Sequence, residues 1–167
     1  MGSQYYGYWA GGYPTKSIVD RIDYSNDTAT ASQKGPLSTP SQYGCATGNS
    51  SYGYHKAGTN VSIVDRIDYS NDTPTMVAKA NLTVAKMFLR ASGTKNYGYF
   101  GGGRTAAPAT ISSVDRLDYS SDTTAATPKG PLSVIRRAGS GVSSNNYGYK
   151  ASIYRTRPEP DLSLPRI

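Results

Sequence analysis

Three stretches of this 167-residue chain hold most of its ionisable chemistry: DRIDYSND from Asp20, DRIDYSND from Asp65 and DRLDYSSD from Asp115. Between them they carry Asp20, Asp23, Asp27, Asp65, Asp68, Asp72, Asp115, Asp118 and Asp122, with Arg21, Arg66 and Arg116 interleaved. Carboxylates and guanidinium groups packed this closely could hold a cation, activate a water or pair with one another. The Asp23-x-Ser25-x-Asp27 spacing imitates the start of a calcium loop. That loop needs Gly at its sixth position and Glu at its twelfth, where this chain has Thr28 and Lys34. An Asx-type turn, with the carboxylate bonding to amides just ahead of it, is the reading preferred. Catalysis would need one copy to differ chemically from the others, and none does. The Asp-Arg-[IL]-Asp pattern is instead expected to make a salt bridge repeated between neighbouring units.

The remaining inventory is thin. His55, Cys45 and Glu159 are the only residues of their types. A lone cysteine closes no internal disulfide, and one Cys with one His leaves a zinc site short of ligands. His55 has no visible partner for general-base work, and no pair of glutamates exists. Gly101-Gly102-Gly103-Arg104 lacks the Lys-Ser/Thr ending of a phosphate loop, and no helix is expected after it. Asn-x-Ser/Thr sequons such as Asn26-Asp27-Thr28 read as turn composition. An enzyme is therefore not expected, and neither is a cofactor or a metal. No apolar run approaches the roughly 20 residues that span a bilayer. The opening MGSQYYGYWAGG has no basic region followed by an apolar one, so neither membrane insertion nor a standard secretory signal is expected.

The elements that position these residues follow from an internal repeat. YGY recurs at Tyr6, Tyr52, Tyr97 and Tyr147, the VDR valine at Val19, Val64 and Val114, and a bend leucine at Leu37, Leu82 and Leu132. The spacing from VDR to the leucine, and from the leucine to the next YGY, is constant, whereas that from YGY to VDR varies. Constant spacing marks scaffold, and the variable segment marks a loop. The period of 45 to 50 residues is that of propeller blades. Each unit reads as four short strands. YGY is strand b and SIVDRIDY is strand c, alternating between two faces. The Ser-Asn-Asp-Thr turn follows, then a Thr/Ala-rich strand d such as TATAS, the Lys-Gly-Pro-Leu bend and a strand a before the next YGY. The stretch from Met76 to Leu89 comes nearest to a helical stripe, but its constant spacing predicts strand, bend, strand.

This arrangement resembles the kelch motif. The likeness rests on an aromatic strand ending in glycines, a later strand ending in Tyr and a polar turn, and a bend with a Pro-Leu pair. It covers about residues 5 to 149 and implies an all-β, kelch-like β-propeller segment of three four-stranded blades. The repeats would run over about 5–51, 52–96 and 97–149, with 150–167 a Pro-rich tail or arm. One departure is that kelch blades carry a Trp after the c–d turn, whereas the single Trp9 lies in strand b. The wording YGYFGGG, VDRIDYSNDT and GPLS is similar to kelch-like repeats in tail-fibre and other virion proteins of tailed bacteriophages, notably those of marine cyanobacteria. That resemblance implies a virion protein of the tail, made in the host cytoplasm, with a role in structure or host adhesion. The alternative is a cellular kelch-type scaffold for protein–protein interaction.

The strand order b c d, a b c d, a b c d, a b leaves the first unit without its a strand and a fourth without c and d. Incomplete sheets leave bare edges. Strand a4, Ala138, Gly139, Ser140, Gly141, Val142, Ser143 and Ser144, is expected to complete the first blade of a neighbouring copy in a homo-oligomer, or else to pair with another virion protein. Charge is expected to sort between two ends of the sheets. The b–c and d–a loops would present Lys16, Lys34, Lys56, Lys79, Lys86, Arg104, Lys129, Arg136 and Arg137, opposite a rim of Asp27, Asp72 and Asp122. Such a basic, loop-rich end suits an acidic host-surface polysaccharide or an acidic protein. Nucleic acid is not expected, because most tyrosines sit at the repeated YGY and DY positions, where packing accounts for them.

Overall fold

The computed structural model describes residues 1–107, 109–143 and 148–151. Its described residues form thirteen short strands and one 3-10 turn. The first sheet is β1 (Tyr6–Ala10), β2 (Val19–Asp23) and β3 (Ser32–Gln33). The second is β4 (Cys45–Gly48), β5 (Tyr52–Lys56), β6 (Ile63–Asp68) and β7 (Val77–Asn81). The third is β8 (Arg90–Gly93), β9 (Tyr97–Gly101), β10 (Val114–Asp118) and β11 (Thr127–Lys129). A two-stranded ribbon of β12 (Ser140–Ser143) and β13 (Gly148–Ala151) follows. All pairings among these strands are antiparallel between strands consecutive in sequence, and none of the described sheets closes on itself. The protein is all-β, as the alternation of SIVDRIDY predicts. The Met76–Leu89 stretch is strand β7, a bend and the approach to β8, with no helix.

Register repeats with the sequence. Tyr6 faces Asp23, Tyr52 faces Asp68 and Tyr97 faces Asp118. The glycine between the two tyrosines has a steric reason: a Cβ on Gly53 would lie 2.7 Å from the Tyr69 hydroxyl, and one on Gly7 2.7 Å from that of Tyr24. The YGY and DY motifs are thus halves of one packing solution. Entry to β4, β8 and β12 is also shared, since Tyr43, Phe88 and Ala138 all have φ between 53° and 57°. The rings of Tyr43 and Phe88 pack with centroids 4.4 Å apart.

Alternation sends one side of each strand to the following sheet and the other to the preceding one. Tyr8, Val19 and Leu37 of the first unit meet Ile67 and Met76 of the second in one core cluster. Tyr54, Val64 and Leu82 meet Leu117 and Ala126 of the third in another. β12 lies against β8 as β8 lies against β4.

Three expectations change. The first sheet does have a neighbour on the β1 edge: Gly2 bridges to Gly7, and the Tyr8 N–H donates to the Met1 carbonyl at 2.9 Å. Strand d of the first unit is not TATAS but only Ser32–Gln33, because the turn after Asp23 runs on through Thr28, whose hydroxyl donates to Asn26 at 3.3 Å. The expected a4 strand begins at Ser140, with Ala138 and Gly139 forming the turn into it, and β12 pairs with β13 in its own chain. Ser144, Tyr147 and the tail from residue 152, with Glu159, lie outside the described residues.

Candidate functional site

The three aspartates of each motif do three different jobs. The middle one, Asp23, accepts from the Ser25 amide at 2.9 Å and its hydroxyl at 2.6 Å, and Asp68 and Asp118 hold Ser70 and Ser120 in the same way. This is the predicted Asx turn. The serine hydroxyl, then its amide, hold these carboxyls below the ordinary aspartate range.

The last aspartate crosses to the preceding sheet. Arg21 lies over the Tyr6 ring, its Cζ 4.2 Å from the centroid, and its Nη1 donates to Asp72 at 2.8 Å. The Tyr8 hydroxyl donates to the same carboxylate oxygen at 2.8 Å. The next junction repeats this. Arg66 sits 4.4 Å over Tyr52 and donates to Asp122 at 2.7 Å, and the Tyr54 hydroxyl donates to Asp122 at 3.0 Å. Burial, with the hydrogen bond and charge of the facing aspartate, pushes the Tyr8 and Tyr54 phenols far above the ordinary tyrosine value. The tie between units is therefore Arg of one copy to the last Asp of the next, with the tyrosine as a second donor.

The first aspartate faces the bend of the preceding unit. Asp65 accepts from the Ser38 amide at 2.9 Å and hydroxyl at 2.6 Å. Asp115 accepts from Thr83 and pairs with Lys86 at 2.9 Å. Burial pushes the Asp65 carboxyl up despite its hydrogen bonds.

Four of the nine cations assigned to the basic loop end lie elsewhere. Lys56 and Lys86 are fully buried. Lys86 is consumed by Asp115 and also donates to Ser113 Oγ at 3.3 Å, while Lys56 donates to the carbonyls of Ala57 and Lys86. Cut off from water, these ammonium groups are held by backbone carbonyls, a serine hydroxyl and the Asp115 carboxylate instead. Lys34 and Lys79 stand 3.4 Å from Asp72 and 3.7 Å from Asp122, so the acidic rim and these lysines meet rather than occupy opposite ends. A lysine stem is long enough to cross between adjoining sheets.

Lys16, Lys129 and Arg137 are exposed, and Arg104 and Arg136 are half-buried. Backbone bonds pair loops within the first unit, at Lys16, and separately around the third, at Arg104 and Arg136. The Lys16 and Ser41 backbones bridge, the Gly103 N–H donates to the Arg136 carbonyl at 2.8 Å, and Arg104 pairs with Met87. Exposed Val134 and Ile135 precede Arg136 and Arg137. The structure thus brings Arg104 and Arg136 together, while Lys129 stands apart on β11.

His55 is buried, and burial, aided by the charges of the N-terminus and Lys56, pushes its pKa down to about 4. It is a neutral ring in the position of Phe100. His55 and half-buried Cys45 border an open hollow of about 410 Å³ with Tyr8, Trp9 and Tyr24. Among the described residues no three potential metal ligands cluster, and no helix is long and apolar enough to cross a membrane.

Sequence reasoning missed the buried Lys86–Asp115 pair and buried Lys56. A signal existed for both. Lys56 stands where the other units have Ala10 and Gly101, and Lys86 where they have Ser41 and Arg136, inside the apolar run VAKMFL. No protein-family model matches the chain, and no curated protein matches it.

Proposed function

We propose that the chain is a non-enzymatic structural module, a segment of a kelch-like propeller, that serves as a tail component of a tailed-phage virion. The repeated chemistry supports this reading. Arg21, Arg66, Asp72, Asp122, Tyr8 and Tyr54 of the repeated motifs are used to hold sheet to sheet, as Arg66 and Asp122 are at 2.7 Å. Stacked repeats of this kind are held by nearest-neighbour contacts and present extended surfaces to partners. The loop end bearing Lys16, Arg104, Arg136 and Arg137, with Val134 and Ile135, is the surface we assign to other virion subunits or to an acidic host polysaccharide.

The test is fractionation of infected cells with an antibody to this chain. Copurification with assembled particles through a density gradient is the expected result, and confinement of the chain to the soluble, particle-free fraction refutes the virion role. The adhesion clause is tested on a glycan array. Binding to acidic polymers that is lost in an Arg104→Ser/Arg136→Ser/Arg137→Ser variant supports it, and a blank array at low salt leaves the structural role alone.

A further inference from the structure

Each internal junction has a rear half and a front half. The rear half is contributed by the YGY, Arg, Lys and bend positions of one sheet, and the front half by the c strand and turn of the next. The third sheet carries a rear half and the first sheet a front half that lie outside these two junctions. Arg116 is already laid over the Tyr97 ring at 4.4 Å, as Arg21 and Arg66 are laid over theirs, yet among the described residues it makes no ion pair across a junction, and the only carboxylate it influences is the exposed Asp118 of its own motif. Lys129 and Ser133 are exposed, and a Cβ on Gly130 would meet nothing within 4 Å, whereas one on its equivalent Gly35 would lie 1.7 Å from the Pro74 carbonyl oxygen.

The front of the first sheet is the complement. Asp27 is exposed where Asp72 and Asp122 are buried. Trp9 is 58% exposed where its equivalents His55 and Phe100 are 3% and 0% exposed. Tyr24 is exposed, while Tyr69 and Tyr119 stack on Tyr8 and Tyr54 with centroids 5.2 and 4.6 Å apart. An exposed Trp beside an exposed Tyr, with one acidic face and one basic face, is the composition of an interface centre.

We propose that a second copy of this chain seats the front of its first sheet on the rear of the third, head to tail, continuing the internal junction. Arg116 and Lys129 then meet Asp27 of the partner subunit, Tyr99 stacks on the partner's Tyr24, and Ser133 donates to the partner's Asp20. These are the counterparts of Arg66–Asp122, Lys79–Asp122, Tyr54–Tyr119 and Thr83–Asp115. Seating the partner's β1 in this way places it beside β12, where β13 now lies. The exchange is between equals, since Gly148–Ala151 reads GYKA and Gly7–Ala10 reads GYWA. β12 takes over the edge that Met1 and Gly2 hold, so that one antiparallel neighbour of β12 is replaced by another of like sequence. The contact is heterologous, so it propagates into a ring or a chain.

The proposal rests on the repeat geometry and not on the virion role, so failure to copurify with particles leaves it standing. The test combines sedimentation or light scattering of the whole chain with the emission of its single tryptophan. Wild type is expected at a multiple of 17.8 kDa, with Trp9 emission shifting to the blue as association proceeds. Arg116→Asp and Asp27→Arg should each weaken self-association at least roughly tenfold. Among the described residues neither takes part in an internal ion pair, and Arg116→Asp gives up only the contact with the Tyr97 ring, so the β-sheet circular dichroism should be retained in both variants. In an equimolar mixture the two variants can alternate, which restores opposite charges at both kinds of junction. The carboxylate introduced at position 116 of one chain faces the guanidinium introduced at position 27 of the other, and the next junction is the native Arg116 with Asp27 of the partner subunit. The mixture should therefore associate more tightly than either variant alone, while Lys129 beside the introduced guanidinium keeps it weaker than wild type. A wild-type monomer at every concentration, an oligomer indifferent to Arg116→Asp, or a mixture that stays monomeric would each overturn the proposal.

Discussion

Arg66 and Asp122 meet at 2.7 Å across two sheets although 56 residues separate them, and Arg21 meets Asp72 at 2.8 Å in the same way one unit earlier. The ion pair is therefore part of the repeat, set by stacking one unit on the next rather than by either motif alone. Its tyrosine second donor makes the carboxylate the hub of the junction. That hub, the buried lysines, the buried histidine and the bend glycine each have a measurable consequence.

Replacing Asp122 by Ala removes the acceptor shared by Arg66 and Tyr54, and should cost on the order of 2 kcal/mol, the range for a hydrogen bond to a charged group. The same change at exposed Asp27 should fall within about 0.5 kcal/mol in the dissociated chain. Urea unfolding of the two variants at low protein concentration checks the contrast. Equal losses would mean that the junction is not held by this carboxylate.

Lys86→Met leaves Asp115 buried without its cation and should destabilise the fold by about 3–5 kcal/mol. Adding Asp115→Leu to Lys86→Met should recover a large part of the loss, because an apolar pair of similar volume avoids the desolvation of two ions. A double-mutant cycle from chemical unfolding measures this. Additive losses would show that Lys86 and Asp115 act independently.

His55 has a folded-state pKa of about 4 against an ordinary value of 6.5. Between those values the unfolded chain binds the proton and the folded chain does not. The stability contributed by the neutral ring is thus complete above pH 6.5 and is lost as pH falls towards 4, by about 3 kcal/mol over the whole window. His55→Phe, which copies Phe100, should flatten this acid limb, and thermal unfolding of both proteins across the window would read it.

Burial, with a further push from the charge of Lys86, lowers Lys56 to about 8 from 10.5. The unfolded chain then binds more protons between those values, so this group makes stability rise as pH climbs from about 8 to 10.5. Lys56→Met should remove that rise. An alkaline series of unfolding midpoints indifferent to the substitution would contradict the depressed value.

Gly35→Ala places a methyl against the Pro74 carbonyl and should cost about 1–3 kcal/mol by overpacking. Gly130→Ala occupies the same repeat position in open space and should change the dissociated chain by less than about 0.5 kcal/mol. Comparing their unfolding midpoints tests whether the bend glycine serves the junction or only the turn.

Periodicity and local spacing by themselves determine a great deal. The strand order, the Asx turns at Asp23, Asp68 and Asp118 and the two-sided character of SIVDRIDY follow from residues a few positions apart, where backbone geometry alone dictates which side chains share a face. The salt bridge between units is legible as a type of contact, since a repeated Arg among aspartates has few other uses. Its partner is not. Which aspartate Arg21 reaches depends on how far one sheet is offset against the next, and side-chain packing across the junction sets that offset. The same applies to the partners of Lys56 and Lys86: their apolar or small-residue repeat positions hint at burial, but not at what they meet there. Only the stacking of the second and third sheets encloses them, because burial is a property of what lies across the gap and not of neighbours along the chain.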